Sequence, residues 1–151
     1  VMGFHKYVKS RFGAFLNFII GNIFADFFKV FSKRRIEKNT NAYIKAIKKY
    51  PIDIISHLNL YAKVDVGKIA EVCEECGTYI EINCKRIHFS KKDVDAMLKT
   101  NVKFVINSDA HSPMRVGDDK LGLEVAKMYN IPLDRIVNLH DKIKLRDKVI
   151  K

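Results

Sequence analysis

The sequence has no tryptophan, and it has only three prolines and seven glycines among its 151 residues. It also lacks Gly/Ser-rich linkers, low-complexity tracts and internal repeats. Collagen-like chains need far more glycine and proline, and repeat proteins need internal repeats, so both classes are excluded. The lack of low-complexity tracts argues against an intrinsically disordered chain. With 48% hydrophobic residues, a chain of this length predicts a single domain, residues 1–151, with a substantial buried core.

Acidic residues are the scarce charge. The chain has 17 Asp and Glu against 28 Lys and Arg, which gives a net charge of +11. This excess favours an anionic partner, which would be a phosphorylated small molecule, a nucleic acid or a membrane surface. Nucleic acid is not favoured, because no basic–aromatic ladder and no recognised binding motif occurs. Lysines on solvated helix faces are the alternative explanation of the charge.

One long hydrophobic stretch, residues 12–31, does not predict a membrane span. Asp26 and Lys29 interrupt it, and a charge near the bilayer centre costs about 2.5–3.5 kcal/mol. The stretch barely reaches the roughly 20 residues that a spanning helix needs. It predicts an aromatic-rich helix within a helical insertion at about 12–38, packed on the protein or on a partner. Shallow membrane contact, helped by the basic residues 33–35, is the alternative.

Cysteine occurs three times, and the N-terminus shows no secretory signal pattern. An odd number of cysteines without such a signal favours a reducing, cytoplasmic location over a disulfide scaffold. The chain begins with Val1 instead of Met, which suggests a segment of something larger.

A zinc site is a rival interpretation of the cysteines. Cys73, Cys76, Cys84 and His88 follow the order C-x2-C-x7-C-x3-H, which has the ligand types of a structural zinc site. However, Cys73 falls on the apolar face of a predicted helix, where it packs as a small hydrophobe. A thioredoxin-like role is weaker, because the cysteine pair ends this helix whereas a redox motif opens one.

Helical and β-branched segments alternate with short connections along the rest of the chain. Such alternation predicts an α/β architecture with parallel strands. Gly77 marks one helix end. The predicted strands are 52–56, 78–82, 102–106 and 135–138; the predicted helices are 65–76, 90–100 and 118–129, with an earlier helix capped at 39–41 and a helical basic tail.

The predicted strands end on residues that bind metals or substrates. His57, Asn83, and the pair Asp109 and His111 follow successive strands, and His5 follows a strand fragment at the N-terminus. Functional residues collect at the carboxyl ends of parallel strands. Histidine and carboxylate together suit zinc, manganese or iron. In the Asp-x-His sequence, both side chains would point the same way, because strand side chains alternate.

Four segments in this order resemble the C-terminal portion of the PHP (polymerase and histidinol phosphatase) superfamily. They are "GFHKYV", "IDIISHLN", "TYIEIN" and "FVINSDAHSPMRVGD", and the resemblance extends over nearly the whole chain. The nearest likeness is to bacterial hydrolases of the histidinol-phosphatase type. The resemblance implies a distorted seven-stranded β/α barrel whose site holds up to three zinc, manganese or iron ions. It also implies hydrolysis of a phosphomonoester by a metal-activated water.

The same resemblance suggests a role for each residue at the strand ends. His5 and His57 would bind one metal ion, Asp109 a second and His111 a third. Asp109 and His111 are also the predicted catalytic residues. Asn83 lies beside the site and would contact substrate.

The resemblance assigns no role to three further histidine and arginine residues. Arg115 is a candidate phosphate contact, with an ordinary surface position as the alternative. His88 and His140 are predicted to be surface or loop residues.

The sequence also departs from the family pattern. No His-x-His strand and no bridging Glu precede His5, and "SHLN" stands where "HPG" is common. We therefore expect the N-terminal barrel strands to be missing and the metal site to be incomplete. A missing N-terminal segment or a second copy would cover the open strand edges. A metal-free interaction or oligomerisation module derived from this fold is the alternative function.

Overall fold

The computed structural model describes residues 1–2, 24 and 33–145. Helices and strands alternate along this part of the chain, as the sequence predicts. The elements are α1 (Lys33–Lys49), β1 (Ile54–Ile55), α2 (Val66–Cys76), β2 (Tyr79–Asn83), α3 (Lys91–Leu98), β3 (Phe104–Asn107) and α4 (Lys120–Met128), with 3-10 turns at Pro113–Arg115, Leu133–Arg135 and Val137–Leu139.

The three strands form one parallel sheet in the order β1-β2-β3. Ile55 pairs with Ile80, and Asn83 pairs with Asn107 at the carboxyl end of the sheet. Because the strands run in one direction, the loops that follow all three strands meet at one edge of the sheet. This confirms the α/β class and the parallel, helix-connected strands.

Each of the two edge strands of this sheet makes one further isolated bridge. Met2 pairs in parallel with Ile55, and Ile136 pairs in parallel with Phe104. Of the predicted strand 135–138, only Ile136 pairs with the sheet. The rest of this prediction is wrong, because a 3-10 helix begins at Val137. The Asn138 side chain replaces the missing ladder: its amide accepts from the Ile106 N–H at 2.9 Å and donates to the Ile106 carbonyl at 2.8 Å.

Local capping explains why α2 begins and ends, and why α3 begins, within a residue of the prediction; α3 ends two residues earlier than predicted, at Leu98. Asp65 accepts a hydrogen bond from the Lys68 N–H at the start of α2, and Gly77 ends that helix in a left-handed conformation with φ 62°. Ser90 and Asp93 form a reciprocal capping box at the start of α3. These motifs satisfy backbone groups that a helix end leaves without partners.

The predicted start of the first helix at 39–41 is wrong, since α1 already begins at Lys33. Asn39 and Thr40 are buried inside the helix and bind the segment before α2. The Asn39 side chain donates to the Lys63 carbonyl, and the Thr40 hydroxyl accepts from the Asp65 N–H. Most of the predicted insertion, from residue 12 to residue 32, lies outside the described residues except for residue 24.

The core lies between the sheet and its helices and consists mainly of Ile, Val and Leu. Cys73 and Cys84 belong to it. Among the described residues, no three His, Cys, Asp or Glu side chains are grouped so that they could hold a metal ion. The rival zinc site, whose four residues are all described, is therefore not formed.

Within the described ranges, none of the helices combines the length and the apolarity that crossing a bilayer requires. The hydrophobic stretch 12–31 lies outside those ranges, apart from residue 24.

Gly122 lets α4 pack closely on β3, and replacing it with Ala is expected to destabilise the protein. A Cβ atom there would lie 2.7 Å from an Ile106 methyl carbon and 2.8 Å from the Cys84 sulfur. Overpacking of this kind costs about 1–3 kcal/mol. Gly67→Ala is the matched control, because its nearest contact would be 3.4 Å and Ala gains about 0.5–1 kcal/mol over Gly in a helix. Urea unfolding of both variants checks the opposite signs; equal effects would contradict this packing.

Candidate functional site

A cleft of about 290 Å³ opens at the carboxyl ends of the three strands. Each strand contributes from the loop that follows it. The cleft combines imidazole, carboxylate and cationic groups with one apolar and one aromatic side chain. Its lining residues are His57, Leu60, Tyr61, Lys85, Arg86, His88, Asp109 and His111.

His57 follows β1 and has a left-handed backbone with φ 51°. This conformation is uncommon for residues other than glycine and marks a constrained turn. The side chain is largely buried, at 14% exposure, and its Nε2 atom lies 4.0 Å from Oδ2 of Asp109. The first and third strands therefore bring one imidazole and one carboxylate together, as the sequence predicts.

Asp109 and His111 both line the cleft, but the strand alternation assumed for them is wrong. β3 ends at Asn107, and Asp109 has a left-handed backbone with φ 48°. The turn brings Nδ1 of His111 to 2.8 Å from the Asp109 carbonyl oxygen. This local contact, instead of strand pleating, sets the two side chains on the same side.

His111 is exposed, with 66% of its side chain accessible. Its Nε2 atom lies 3.0 Å from the Lys85 ammonium group. A carbonyl oxygen only accepts and an ammonium group only donates. The two contacts of the ring therefore match the tautomer with the proton on Nδ1 and the lone pair on Nε2.

Asn83 is buried at the end of β2 and holds the turn that follows it. Its Oδ1 accepts from the N–H groups of Lys85 and Arg86 at 2.8 and 3.2 Å. Its Nδ2 lies 3.4 Å from Nδ1 of His57. These contacts let Asn83 position both the cationic turn and the imidazole. Direct substrate contact by Asn83 stays a prediction.

Arg115 and His140 are outside this cleft's lining. Arg115 follows β3 in a 3-10 turn, donates to the Cys84 carbonyl at 3.2 Å and pairs with Asp118. Its role as a phosphate contact stays a prediction. His140 is exposed near the end of the described chain, in agreement with its predicted surface position.

His88 is a cleft residue that the sequence analysis placed on the surface or in a loop. It does lie in the loop after β2, but it is partly buried and its ring meets His57 edge-on, with centroids 5.5 Å apart. Its Nδ1 atom is buried without a hydrogen-bond partner among the described residues. Burial, followed by the charges of His57 and Arg86, lowers the pKa of His88 to about 4. The sequence signal that could have identified His88 as a cleft residue is its position after the predicted strand 78–82.

The lowered pKa of His88 predicts a loss of stability in acid. Between pH 6.5 and 4 an unfolded histidine binds a proton while the folded His88 stays neutral. The free energy of unfolding therefore falls as the pH drops through this window. We expect a contribution of roughly 1–2 kcal/mol, because solvent partly screens the ring. Urea unfolding between pH 7 and 4 should show a flatter profile for His88→Gln than for wild type, while His140→Gln should match wild type.

His57 and Asp109 fit the ligand chemistry of a divalent metal ion. Nε2 of His57 and Oδ2 of Asp109 lie 4.0 Å apart, and imidazole and carboxylate are ligand types that zinc, manganese and iron accept. Within the described part of the chain, no third His, Cys, Asp or Glu completes a metal-binding group with them. Of the other two predicted ligands, His111 lines the same cleft and His5 lies outside the described residues.

Comparison with known proteins finds several relatives that are named as probable phosphatases. A probable phosphatase of Thermoanaerobacter sp. (strain X514) is 34% identical over 112 residues, which cover 68% of this chain and 46% of the relative. A probable phosphatase of Caldanaerobacter subterraneus subsp. tengcongensis is 29% identical over 119 residues, covering 72% and 47%. One from Shewanella piezotolerans is 27% identical over 124 residues, covering 72% and 48%.

No family model matches the chain. The chain spans about half the length of the curated relatives it matches. The chain is thus similar in sequence, over roughly seven-tenths of its length, to proteins named as probable phosphatases.

Proposed function

We propose that this chain is part of a metal-dependent phosphoesterase that hydrolyses a phosphomonoester. The observation that carries the proposal is the cleft in which His57, Asp109 and His111 meet the cations Lys85 and Arg86. Metal-ligand chemistry and phosphate-binding chemistry thus lie side by side. The likeness to probable phosphatases supports the same class of reaction.

The fold that we propose for the complete protein is the distorted seven-stranded barrel of the PHP superfamily. The parallel sheet with helices and the single flanking bridges at Met2 and Ile136 support a curved sheet that continues beyond three strands. We propose that the remaining metal ligands come from His5 and from a longer parent chain or a second copy.

In the proposed reaction, His57 and Asp109 would hold a zinc, manganese or iron ion whose remaining ligands come from outside the described residues, and His111 would bind a further ion. When bound, such an ion supplies a lowered pKa for a water molecule and Lewis-acid polarisation of the ester. The water oxygen bonds to phosphorus as the ester P–O bond breaks, and the proton leaves with the alkoxide as an alcohol. Inorganic phosphate is the second product.

The chain's own residues bind and orient the phosphate. Lys85 and Arg86 lie on the turn that Asn83 fixes, and both line the cleft, so their cationic groups would be available to a phosphate bound there. When phosphate draws Lys85 away from His111, the Nε2 lone pair of that ring becomes available. It can then accept a proton from the attacking water or serve as a ligand.

Lys85→Gln is expected to raise KM for a phosphomonoester about tenfold while changing kcat much less. A charge-assisted hydrogen bond contributes about 1.5–3 kcal/mol, and loss of uniform binding appears in KM. Steady-state kinetics measure the split. Lys91→Gln is the control, because Lys91 is an exposed lysine on α3 that pairs with Asp95. An unchanged KM in Lys85→Gln would exclude this lysine from phosphate binding.

Release of inorganic phosphate from p-nitrophenyl phosphate tests the proposed function. The chain should be freed of metal with a chelator and assayed after adding zinc, manganese or ferrous iron separately. Metal-dependent release that the chelator reverses supports the phosphoesterase. No release with any metal, together with a stable metal-free oligomer on gel filtration, would instead favour the interaction module.

A further inference from the structure

Glu81 is a charged residue in the middle of the buried strand β2, with only 2% of its side chain exposed. Charged side chains are almost never buried so completely unless they are paired. An isolated buried carboxylate costs several kcal/mol, so its partners determine why it is there.

All hydrogen-bonding partners found for this carboxylate are donors. Its Oε2 accepts from the His57 N–H at 3.0 Å and from Nδ2 of Asn83 at 3.2 Å. Its Oε1 accepts from Nδ2 of Asn107 at 2.8 Å. Nδ1 of His57 lies 3.6 Å from Oε2. Both oxygens are therefore acceptors, a demand that an ionised carboxylate meets and an amide cannot.

These contacts join the carboxyl ends of all three strands. Asn83 pairs with Asn107 in the sheet, and Glu81 lies on the same face of β2 as Asn83 because side chains alternate. The bond to Asn107 therefore ties β2 to β3. The bond to the His57 N–H ties β2 to the residue after β1, where the backbone is left-handed.

We propose that Glu81 is the positioning residue of the site: its buried carboxylate holds His57 in its left-handed turn and keeps Nε2 of that ring directed to Asp109. The inference rests on the proposed function, since it assigns His57 a working imidazole. Glu81 acts through His57, because Glu81 itself does not line the cleft. A carboxylate behind a functional histidine commonly sets its orientation, and removing one lowers metal affinity or activity about 10–100-fold.

Glu81→Gln separates positioning from simple stabilisation. Glutamine keeps the volume of the side chain but places an NH2 group against one of the donors, so at least one contact is lost. Glu75→Gln is the matched control, because Glu75 is an exposed carboxylate on α2 that pairs with Lys48. Urea unfolding of each variant identifies conditions under which it is folded.

The measurement uses the 151-residue chain with histidine rings labelled with ¹⁵N, before and after addition of zinc. His57→Asn identifies the His57 ring resonances by their disappearance. We expect Glu81→Gln to shift these resonances without metal, and to lower kcat on p-nitrophenyl phosphate about 10–100-fold with little change in KM. Glu75→Gln should leave the resonances and kcat unchanged.

Unchanged His57 ring resonances in a folded Glu81→Gln variant would overturn the proposal. If Glu81→Gln does not fold, Asn107→Ala replaces it, because this change on an exposed residue removes only the donor to Oε1. It should shift the same resonances by less; no shift would overturn the proposal equally.

The two proposals fail in different ways. If wild type releases no phosphate, the proposed function fails, while the ring resonances still decide whether Glu81 positions His57. If His57→Asn abolishes phosphate release and Glu81→Gln does not alter it, the proposed function stands and the positioning role falls.

Discussion

Asp109→Asn is expected to lower kcat on a phosphomonoester at least about 100-fold. The change removes the carboxylate charge that faces Nε2 of His57 at 4.0 Å. A positioned acid, base or metal-ligating carboxylate contributes about 10²–10⁴ in rate. Asparagine has nearly the same shape and tolerates the left-handed backbone that Asp109 adopts, with φ 48°. The fold should therefore persist, and the lost activity reports the charge alone.

Steady-state kinetics measure this effect, with circular dichroism to verify folding. Asp95→Asn is the matched control, because it makes the same chemical change on α3 next to Lys91 and away from the cleft lining. It should retain wild-type kcat. A kcat in Asp109→Asn within a few-fold of the control would place the chemistry elsewhere.

Phe104→Ala is expected to lower the free energy of unfolding by about 3–5 kcal/mol, the usual cost of truncating a fully buried aromatic side chain. Phe104 begins β3 and is completely buried. It pairs with Ile80 on one side and bridges Ile136 on the other. The Arg135 guanidinium also lies 5.4 Å from the centre of its ring, so the change weakens both the sheet and the segment that covers it.

Urea or guanidinium unfolding checks this prediction. Met114→Ala is the control, because Met114 is 92% exposed and exposed truncations usually change stability by less than about 0.5 kcal/mol. Phe104→Leu should fall between the two, since Leu leaves a smaller cavity than Ala. A loss of under about 1 kcal/mol in Phe104→Ala would show that this strand is not central to the core.

The elements that the sequence predicts well are those with local signals. The ends of α2 and the start of α3 agree with their caps at Asp65, Gly77 and Ser90, because capping depends on residues within one turn. The predicted start of α1 was wrong because the Asn39 side chain bonds to Lys63, far along the chain, instead of capping the helix. Such a tertiary contact leaves no local sequence pattern. The strand at 135–138 failed for a similar reason, since the side chain of Asn138 takes over the pairing of β3.

The candidate site shows the same division. His57, Asp109 and His111 were predicted from their positions after strands, and parallel topology brings them into one cleft. Lys85 and His88 also follow β2, which ends at Asn83. Lysine is abundant throughout the chain, and several loop residues separate His88 from the strand, so neither residue was singled out. Glu81 carries a sequence signal, because it is an acidic residue inside an apolar strand. Its structural role, however, depends on donors at the ends of two other strands.

Metal content after gel filtration without chelator, measured by elemental mass spectrometry, tests the proposed site most directly. The chain would be loaded with zinc, manganese or ferrous iron in turn, and wild type would be compared with His57→Asn, Asp109→Asn and the exposed control His140→Asn. A metal-binding site at the cleft predicts that wild type and His140→Asn retain metal and that the other two variants lose most of it. Equal metal content in all four proteins, or none in wild type, would contradict a metal site built on His57 and Asp109 in this chain.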